Sequence, residues 1–392
     1  MKKILLFLLF ILSNSIFSGI YAISGDDTQI SLLTVLPRSN EVYTVYGHTA
    51  IRVVNTSEGI DEVFNYGTID FSAPNYLYRF IKGVPDYSLS VGNFRFFEYS
   101  YASRNSTVIE QILNIPSKEK EEIINFLIIN LQPKNREYRY NFCFDNCTTR
   151  PRDIIEKYCG GNLIYPEGEK DITIRDLLHE CTAPYPWIEF GVDLIIGSGA
   201  DSIISKRTEL FLPVRLMESL DKAYVLNDSL QQYPIVSSTK TIINTAQTEE
   251  SWSSPMKIGI IMIIHCLIFA IAGYFWKKSF RFFFALIFLS TAIGGCVVAF
   301  VTLVSLHPCT SYNWNLLWLH PLHLIPVVGY FFKKTYRFIR WYHWSNFVLL
   351  SGVLLGWHFI PQDLNIACIP FIICLWISSG YKLLIDKKLD KK

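Results

Sequence analysis

Cys147 is the residue best placed to do chemistry. It follows Asp145 and Asn146, where an aromatic, strand-like approach (Tyr140, Phe142) turns into a stretch of helical apolar spacing (Ile154, Ile155, Tyr158) closed by Gly160 and Gly161. A cysteine at a helix entrance meets unpaired backbone N–H groups and the positive end of the helix dipole. Both favour the thiolate, the form of cysteine that attacks carbonyl carbon. Pro151 allows two versions: a helix beginning near Arg150 with the proline in its first turn, or a kinked first turn. Either version leaves Cys147 at the entrance.

A thiolate needs a base. His48 stands at a turn after Tyr46 and Gly47, leading into the alternating stretch Thr49 to Val54 that reads as a strand. The rival base, His179, precedes Glu180 on a segment that reads as a solvated helix face. A third polar group should orient the imidazole. Asn65, on the expected partner strand, is the first choice and Asp70 the second; the competing reading of Asn65 is a turn residue at a strand end. The oxyanion donors would be the Cys147 N–H and one more group, and Asn146 can cap, orient or donate. Arg52 and Arg79 are candidates to meet a phosphate, against the commoner role of a solvated arginine. Cys143 reads as a buried thiol. Cys143, Cys147, His48 and His179 show no metal-site spacing, so neither a metal nor a cofactor is expected.

These residues belong to a chain of 392 residues with net charge +2, which does not suggest a nucleic-acid partner. Met1, Lys2 and Lys3 precede an apolar run, a secretory signal over residues 1–22 with a weak cleavage site after Ala22. The expected organisation is an exported α+β catalytic domain over 23–226, a polar linker over 227–254, an all-α membrane domain over 255–386 and a tail over 387–392. Five apolar segments, about 258–276, 282–306, 316–332, 347–360 and 366–385, are membrane candidates. Lys277, Lys278 and Arg281 mark the first loop, and Lys333, Lys334, Arg337 and Arg340 mark the third. The second and fourth loops carry no Lys or Arg, which places the odd loops and the C-terminus in the cytoplasm and the first domain outside. Cys159 with Cys181 is a conceivable disulfide in such a compartment. Residues 117–131 form the clearest helix, with Ser117 as its cap. Strands are expected around Val63 to Gly67, Tyr87 to Val91 and Ser106 to Leu113.

The Gly-His-Thr-Ala strand upstream of an Asn-Cys helix start resembles the circularly permuted papain-like arrangement, in which the histidine strand precedes the cysteine helix. Three stretches carry a closer resemblance: Tyr46 to Val53; Asn65-Tyr66-Gly67 with Asp70-Phe71; and Tyr138 to Phe142 leading into Asp145-Asn146-Cys147-Thr148-Thr149-Arg150. They are similar to the Lnb-like family of Bacteroides-type lipoprotein N-acyltransferases, as is the stretch Asn313 to Leu322 in the membrane part. The resemblance implies a permuted papain-like domain with an antiparallel sheet, followed by a multi-helix inner-membrane domain. On the residues themselves Cys147 is the expected nucleophile, His48 and Asn65 its expected partners, and Asn146 and Arg52 the residues expected near substrate. The implied donor is a phospholipid and the implied acceptor a diacylated lipoprotein. Two other readings remain on residues alone: a cysteine amidase or peptidase acting on cell-wall peptide, and a non-catalytic envelope scaffold with Cys147 paired to Cys143 or Cys159.

Overall fold

The computed structural model describes residues 24–38, 44–168, 170–245, 253–276, 280–329 and 336–389. The signal segment, the loop lysines Lys277, Lys278, Lys333 and Lys334, and the final Lys391 and Lys392 lie outside the described residues.

The described residues begin with β1 (Thr28–Val35), β2 (His48–Asn55), β3 (Ile60–Thr68), α1 (Tyr76–Ile81), β4 (Asp86–Asn93) and α2 (Phe94–Ser103). They continue through β5 (Val108–Leu113), α3 (Ser117–Leu131), β6 (Glu137–Arg139), α4 (Thr149–Tyr158) and β7 (Asn162–Ile164). Next come α5 (Ile174–Thr182), α6 (Pro186–Ile195), α7 (Lys206–Glu209), α8 (Pro213–Asp221), β8 (Tyr224–Leu226), β9 (Gln232–Pro234) and β10 (Val236–Ile243). The last part holds α9 (Pro255–Trp276), α10 (Arg281–Leu303), α11 (Leu324–Gly329), α12 (Tyr336–Leu355) and α13 (Cys368–Leu389). The fold is α+β, a sheet domain followed by a helical region.

Two compact units emerge. The first comprises residues 1–80, 84–172 and 204–248. Its seven-stranded sheet runs β10-β5-β1-β2-β3-β4-β6, antiparallel throughout. β1 is buried along almost its whole length because both faces of the sheet are covered. Ile51 and Val53 of β2 pack with Ile123, Ile124, Leu127 and Ile128 of α3 and with Ile154 and Ile155 of α4. Ala50 turns the other way, toward Phe94 and Phe97 of α2. This period-two alternation is what puts α2 and α4 on different sides of one strand. In α3, Pro116 holds the cap position and Ser117 is the first helical residue.

The stretch expected to be a linker, residues 227–254, contains β9 and β10. β10 pairs with β5 from Val236 opposite Leu113 to Ile243 opposite Val108. Its Ser and Thr side chains face solvent at the sheet edge, so its composition reads as a polar tether. The Cys159–Cys181 bridge is not formed: Cys159 is an unbridged buried thiol directed at the carbonyl of Gly161, 3.2 Å away.

The second unit comprises residues 81–83, 173–203 and 249–392. Among the described residues three helices, α9, α10 and the 368–385 part of α13, are long and apolar enough to cross a membrane. The expected third span, 316–332, is instead broken into two short 3₁₀ turns, Trp314–Leu317 and Pro321–His323, before α11. Pro321 and Pro326 remove backbone donors there. The expected fourth span falls within and just beyond α12, which begins at Tyr336.

Helices α5 and α6 lie in this second unit, held by loops of the helical region. Asn313 Nδ2 donates to the carbonyls of Leu194 and Ile195 at 2.8 and 3.1 Å. Asn315 Nδ2 donates to the Asp193 carbonyl at 2.9 Å, and Gln362 Nε2 to that of Ile196 at 2.9 Å. These amides satisfy carbonyls that the end of α6 leaves open. Below them Arg175 bonds Asp193 at 2.7 Å with both side chains 1% exposed, and it also bonds Asp201. Removing one partner of a buried pair strands the other charge. Arg175→Ala should therefore lower stability by about 3–5 kcal/mol, read as a drop in the thermal midpoint of the detergent-solubilised protein, while an exposed control such as Lys118→Ala should leave it unmoved.

Candidate active site

The site forms where the first residue of β2 meets the start of α4. The turn that delivers Cys147 is built on Asn146. Its Oδ1 accepts from the backbone N–H groups of Thr148 and Thr149, both at 2.8 Å. Its Nδ2 donates to the carbonyls of Phe142 and Phe211, at 2.7 and 3.0 Å. Thr149 Oγ1 in turn accepts from the Asn146 N–H at 2.8 Å. Asn146 thus caps the helix and ties the turn to the 211 loop, and the structure spends its amide on the protein rather than on a substrate. Thr148 and Thr149 begin α4, and Pro151 sits in its first turn with no kink required.

Two contacts fix the strand to the helix start. Thr49 and Thr148 share a hydrogen bond between their buried hydroxyls at 3.1 Å. The Thr49 backbone N–H donates to the Cys147 sulfur. His48 bonds the same sulfur, and its Nε2 donates to Asn65 Oδ1 at 3.2 Å, which leaves Nδ1 for the thiol. Cys147, His48 and Asn65 are therefore in line. Asp70 is exposed and bonded to Ser72 instead.

Desolvation works against both charged forms, but their mutual attraction wins. Burial pushes the Cys147 thiol up; the His48 charge, the His48 hydrogen bond and the Thr49 and Thr148 donors pull it below the ordinary thiol value. Burial pushes His48 down; the thiolate charge, its hydrogen bond and Asn65 raise the imidazolium above the ordinary histidine value. The two shifts run in the directions that make an ion pair of thiolate and imidazolium. Burial first, and then the nearby thiolate, push the phenols of Tyr101, Tyr138 and Tyr140 upward, so these rings stay neutral around it.

Gly67 makes room for the nucleophile. It lies in a register shift between β3 and β4, at a φ of +85°, and a Cβ there would stand 3.2 Å from Cys147 Cβ. No pattern of charge or hydropathy marked this glycine as part of the site; the signal was its place two residues after Asn65.

The other expected residues lie elsewhere. Arg52 is on β2 but faces Asp61 at 2.7 Å and Glu110 at 3.1 Å, with Phe94 stacked beneath its guanidinium. It lines neither cavity at the site. Arg79 pairs with Asp86. His179 is in the second unit, where it bonds Asp193 at 2.9 Å rather than facing open solvent.

Two cavities meet at His48, each about 460 Å³. Cys147 opens into one whose walls are Tyr46, Phe71, Tyr76, Leu77, Phe80, Tyr87, Tyr140 and Phe142, an almost wholly aromatic and aliphatic lining. Asn65 opens into the other, where Thr68, Ser90 and Ser106 share a mixed lining with Val35, Leu36, Val91, Phe96 and Phe97.

Family models for the two halves of one architecture match this chain. The Lnb N-terminal periplasmic domain matches residues 22–179, and the Lnb transmembrane domain matches residues 247–389. The chain belongs to the Lnb family. It is accordingly a membrane protein that carries a periplasmic domain. Neither the curated proteins nor the solved structures provide a match.

The paired shifts have a measurable consequence. Below the depressed thiol value the thiolate takes up a proton; above the raised imidazolium value the histidine loses its own. Between those limits iodoacetamide should alkylate Cys147 fast, with a midpoint below that of an ordinary thiol, about 8.5. In His48→Ala only desolvation, the Thr49 backbone N–H and the Thr148 hydroxyl remain, so the midpoint should move up. Gly67→Ala should slow alkylation as well, by strain and by crowding the sulfur; an unchanged rate would show that the close approach at Gly67 has no bearing on Cys147.

Proposed function

We propose that this Lnb protein is a cysteine acyltransferase of the bacterial inner membrane, moving an acyl chain from a phospholipid through a thioester on Cys147 to the N-terminal amine of a lipoprotein. One observation carries the reading: the polarised cysteine opens into an apolar cavity of about 460 Å³. A long hydrocarbon chain fits such a lining, whereas a cell-wall peptide would bring amides that these walls cannot satisfy. Membership of a family that joins this domain to a membrane domain supports it further, because both proposed substrates stay in the bilayer and tethering supplies proximity.

The proposed steps follow from the geometry. Cys147 attacks the ester carbonyl, and the developing oxyanion is met by the Cys147 N–H at the helix start. His48 protonates the departing oxygen. The amine then attacks the thioester, the acyl C–S bond breaks to return the Cys147 thiolate, and His48, now neutral, takes the amine's proton. Asn65 holds the imidazole through both halves.

The test is intact-protein mass spectrometry of the full chain after incubation with phospholipid. An acyl adduct on Cys147 should appear, discharge when an amine-ended lipopeptide is added, and be absent in Cys147→Ser. Turnover should fall by about a thousandfold or more in Cys147→Ser and in His48→Ala, and the double variant should be scarcely worse, because the pair acts as one unit. Wild-type turnover in Cys147→Ser, or efficient cleavage of soluble wall peptide with no adduct, would overturn the reading.

A further inference from the structure

Every residue of α1 except Arg79 is aromatic or aliphatic, yet the helix buries none of them. Leu77 is 68% exposed, and Phe71, a few residues before the helix, 65%. Tyr78, Phe80 and Ile81 are exposed as well. So short a helix gains little from its own hydrogen bonds, and a contiguous apolar face is unusual on a surface that meets only water. The one polar side chain of α1 is held against the sheet, where Arg79 pairs with Asp86 at the start of β4. Phe71, Tyr76, Leu77 and Phe80 line the apolar cavity of Cys147. Phe71 meets Tyr76 edge to face with ring centres 5.3 Å apart, and Tyr76 stacks with Phe80 at 6.2 Å. Leu77, Tyr78 and Ile81 carry the apolar surface on to the outside of the helix. The wall of the cavity and the exposed face of α1 are thus one continuous apolar surface.

The residues that end and follow α1 show what meets that face. Residues 81–83 belong to the second unit. There the Leu306 N–H donates to the Lys82 carbonyl at 2.8 Å. Gly83 has a φ of +77°, and a Cβ on it would stand 2.4 Å from the backbone nitrogen of His307, so only glycine permits this approach. Leu306 and His307 come just after α10, one of the helices long and apolar enough to cross a membrane. The periplasmic domain precedes α9, so α9 enters the bilayer from the periplasmic side and α10 brings the chain back to it. The last turn of α1 is therefore joined, through residues 81–83, to the periplasmic end of a membrane helix.

We infer that α1 lies in the periplasmic surface of the phospholipid bilayer, with Leu77, Tyr78 and Ile81 among the lipids, and that it forms the entrance by which an acyl chain reaches Cys147. The passage of the chain rests on the acyl-transfer reading above; the docking of the helix does not. An apolar helix face of this kind settles at the boundary between head groups and acyl chains, and a tyrosine is at home at that depth. The ion pair of Arg79 with Asp86 keeps that charge on the protein side. A chain that left the bilayer through water would lose its apolar surroundings at every methylene, whereas a surface that is apolar from the lipid to the cavity avoids that loss.

The experiment places the photo-reactive residue p-benzoylphenylalanine at Leu77 of the full-length protein, reconstituted in vesicles of phosphatidylethanolamine and phosphatidylglycerol. Phe71 serves as a second probe position, where one aromatic ring replaces another and folding is least disturbed. Ile268, exposed on α9, gives the lipid reference, and Leu230, exposed between β8 and β9, the water reference. Every probe variant also carries Cys147→Ala, so that no adduct comes from turnover. After irradiation, intact mass reads the fraction of protein that has gained one phospholipid. Leu77 and Phe71 should each give about tenfold or more the yield at Leu230, the ratio set by moving one large apolar side chain from water to lipid, and should approach the yield at Ile268. Yields at the level of Leu230 would overturn the inference. So would a crosslink to a second copy of the chain, or within the chain, in place of lipid. Lipid capture at both positions, with no acyl adduct on Cys147 of the wild type, would uphold the docking of α1 and remove only the acyl-transfer reading. An acyl adduct on the wild type without lipid capture at either position would do the reverse.

Discussion

Asn146 makes four hydrogen bonds with its side chain, two accepted from the helix start and two donated across to Phe142 and Phe211. Everything at the site depends on that arrangement. A buried amide with all its partners inside the protein fixes the turn in one geometry, since any alternative leaves polar groups unpaired. The turn then presents Cys147 at the end of β2, where the hydroxyl pair of Thr49 and Thr148 locks strand and helix together. The nucleophile is thereby placed by backbone and caps, with no demand on its own side chain.

The second constraint is electrostatic. Desolvation opposes a lone thiolate and a lone imidazolium here, and each is tolerable because the other is adjacent. The Thr49 N–H adds a donor to the sulfur, Asn65 anchors the far nitrogen of the ring, and neutral tyrosines surround the pair without competing for its protons. Gly67 completes the arrangement by leaving the space a side chain would take from the sulfur. The same imidazole then lines both an apolar cavity and a second one of mixed polar and apolar lining.

The helical unit uses polar side chains differently. Asn313, Asn315, Gln362 and Asn365 are drawn to one helix end and one carboxylate, where they complete the hydrogen bonding of α6 and of Asp193. Polar residues in an apolar stretch invite a functional reading. Here several of them hold the segment 173–203 to the helical unit, so the chain contributes to that unit from the middle of its sequence as well as from its C-terminal part.

Much of this was legible in the sequence. The aromatic approach to Asp145-Asn146-Cys147, the helical spacing beyond it and the alternation after His48 are local patterns, and local patterns suffice to place a cysteine at a helix start and a histidine at a strand start. The pairing of His48 with Asn65 followed from their positions on neighbouring strands. What the sequence could not reveal was how each polar group would be satisfied. Asn146 and Arg52 looked available for substrate because, besides their near neighbours, each engages a residue far away along the chain, Phe211 and Glu110. β10 passed for a linker because its partner, β5, lies more than a hundred residues upstream and an exposed edge strand needs few apolar residues. The role of Gly67 depends on distances between elements, which only tertiary packing determines. The amino-acid order alone decided which residues could react; the packing of strand against helix decided which of them meet.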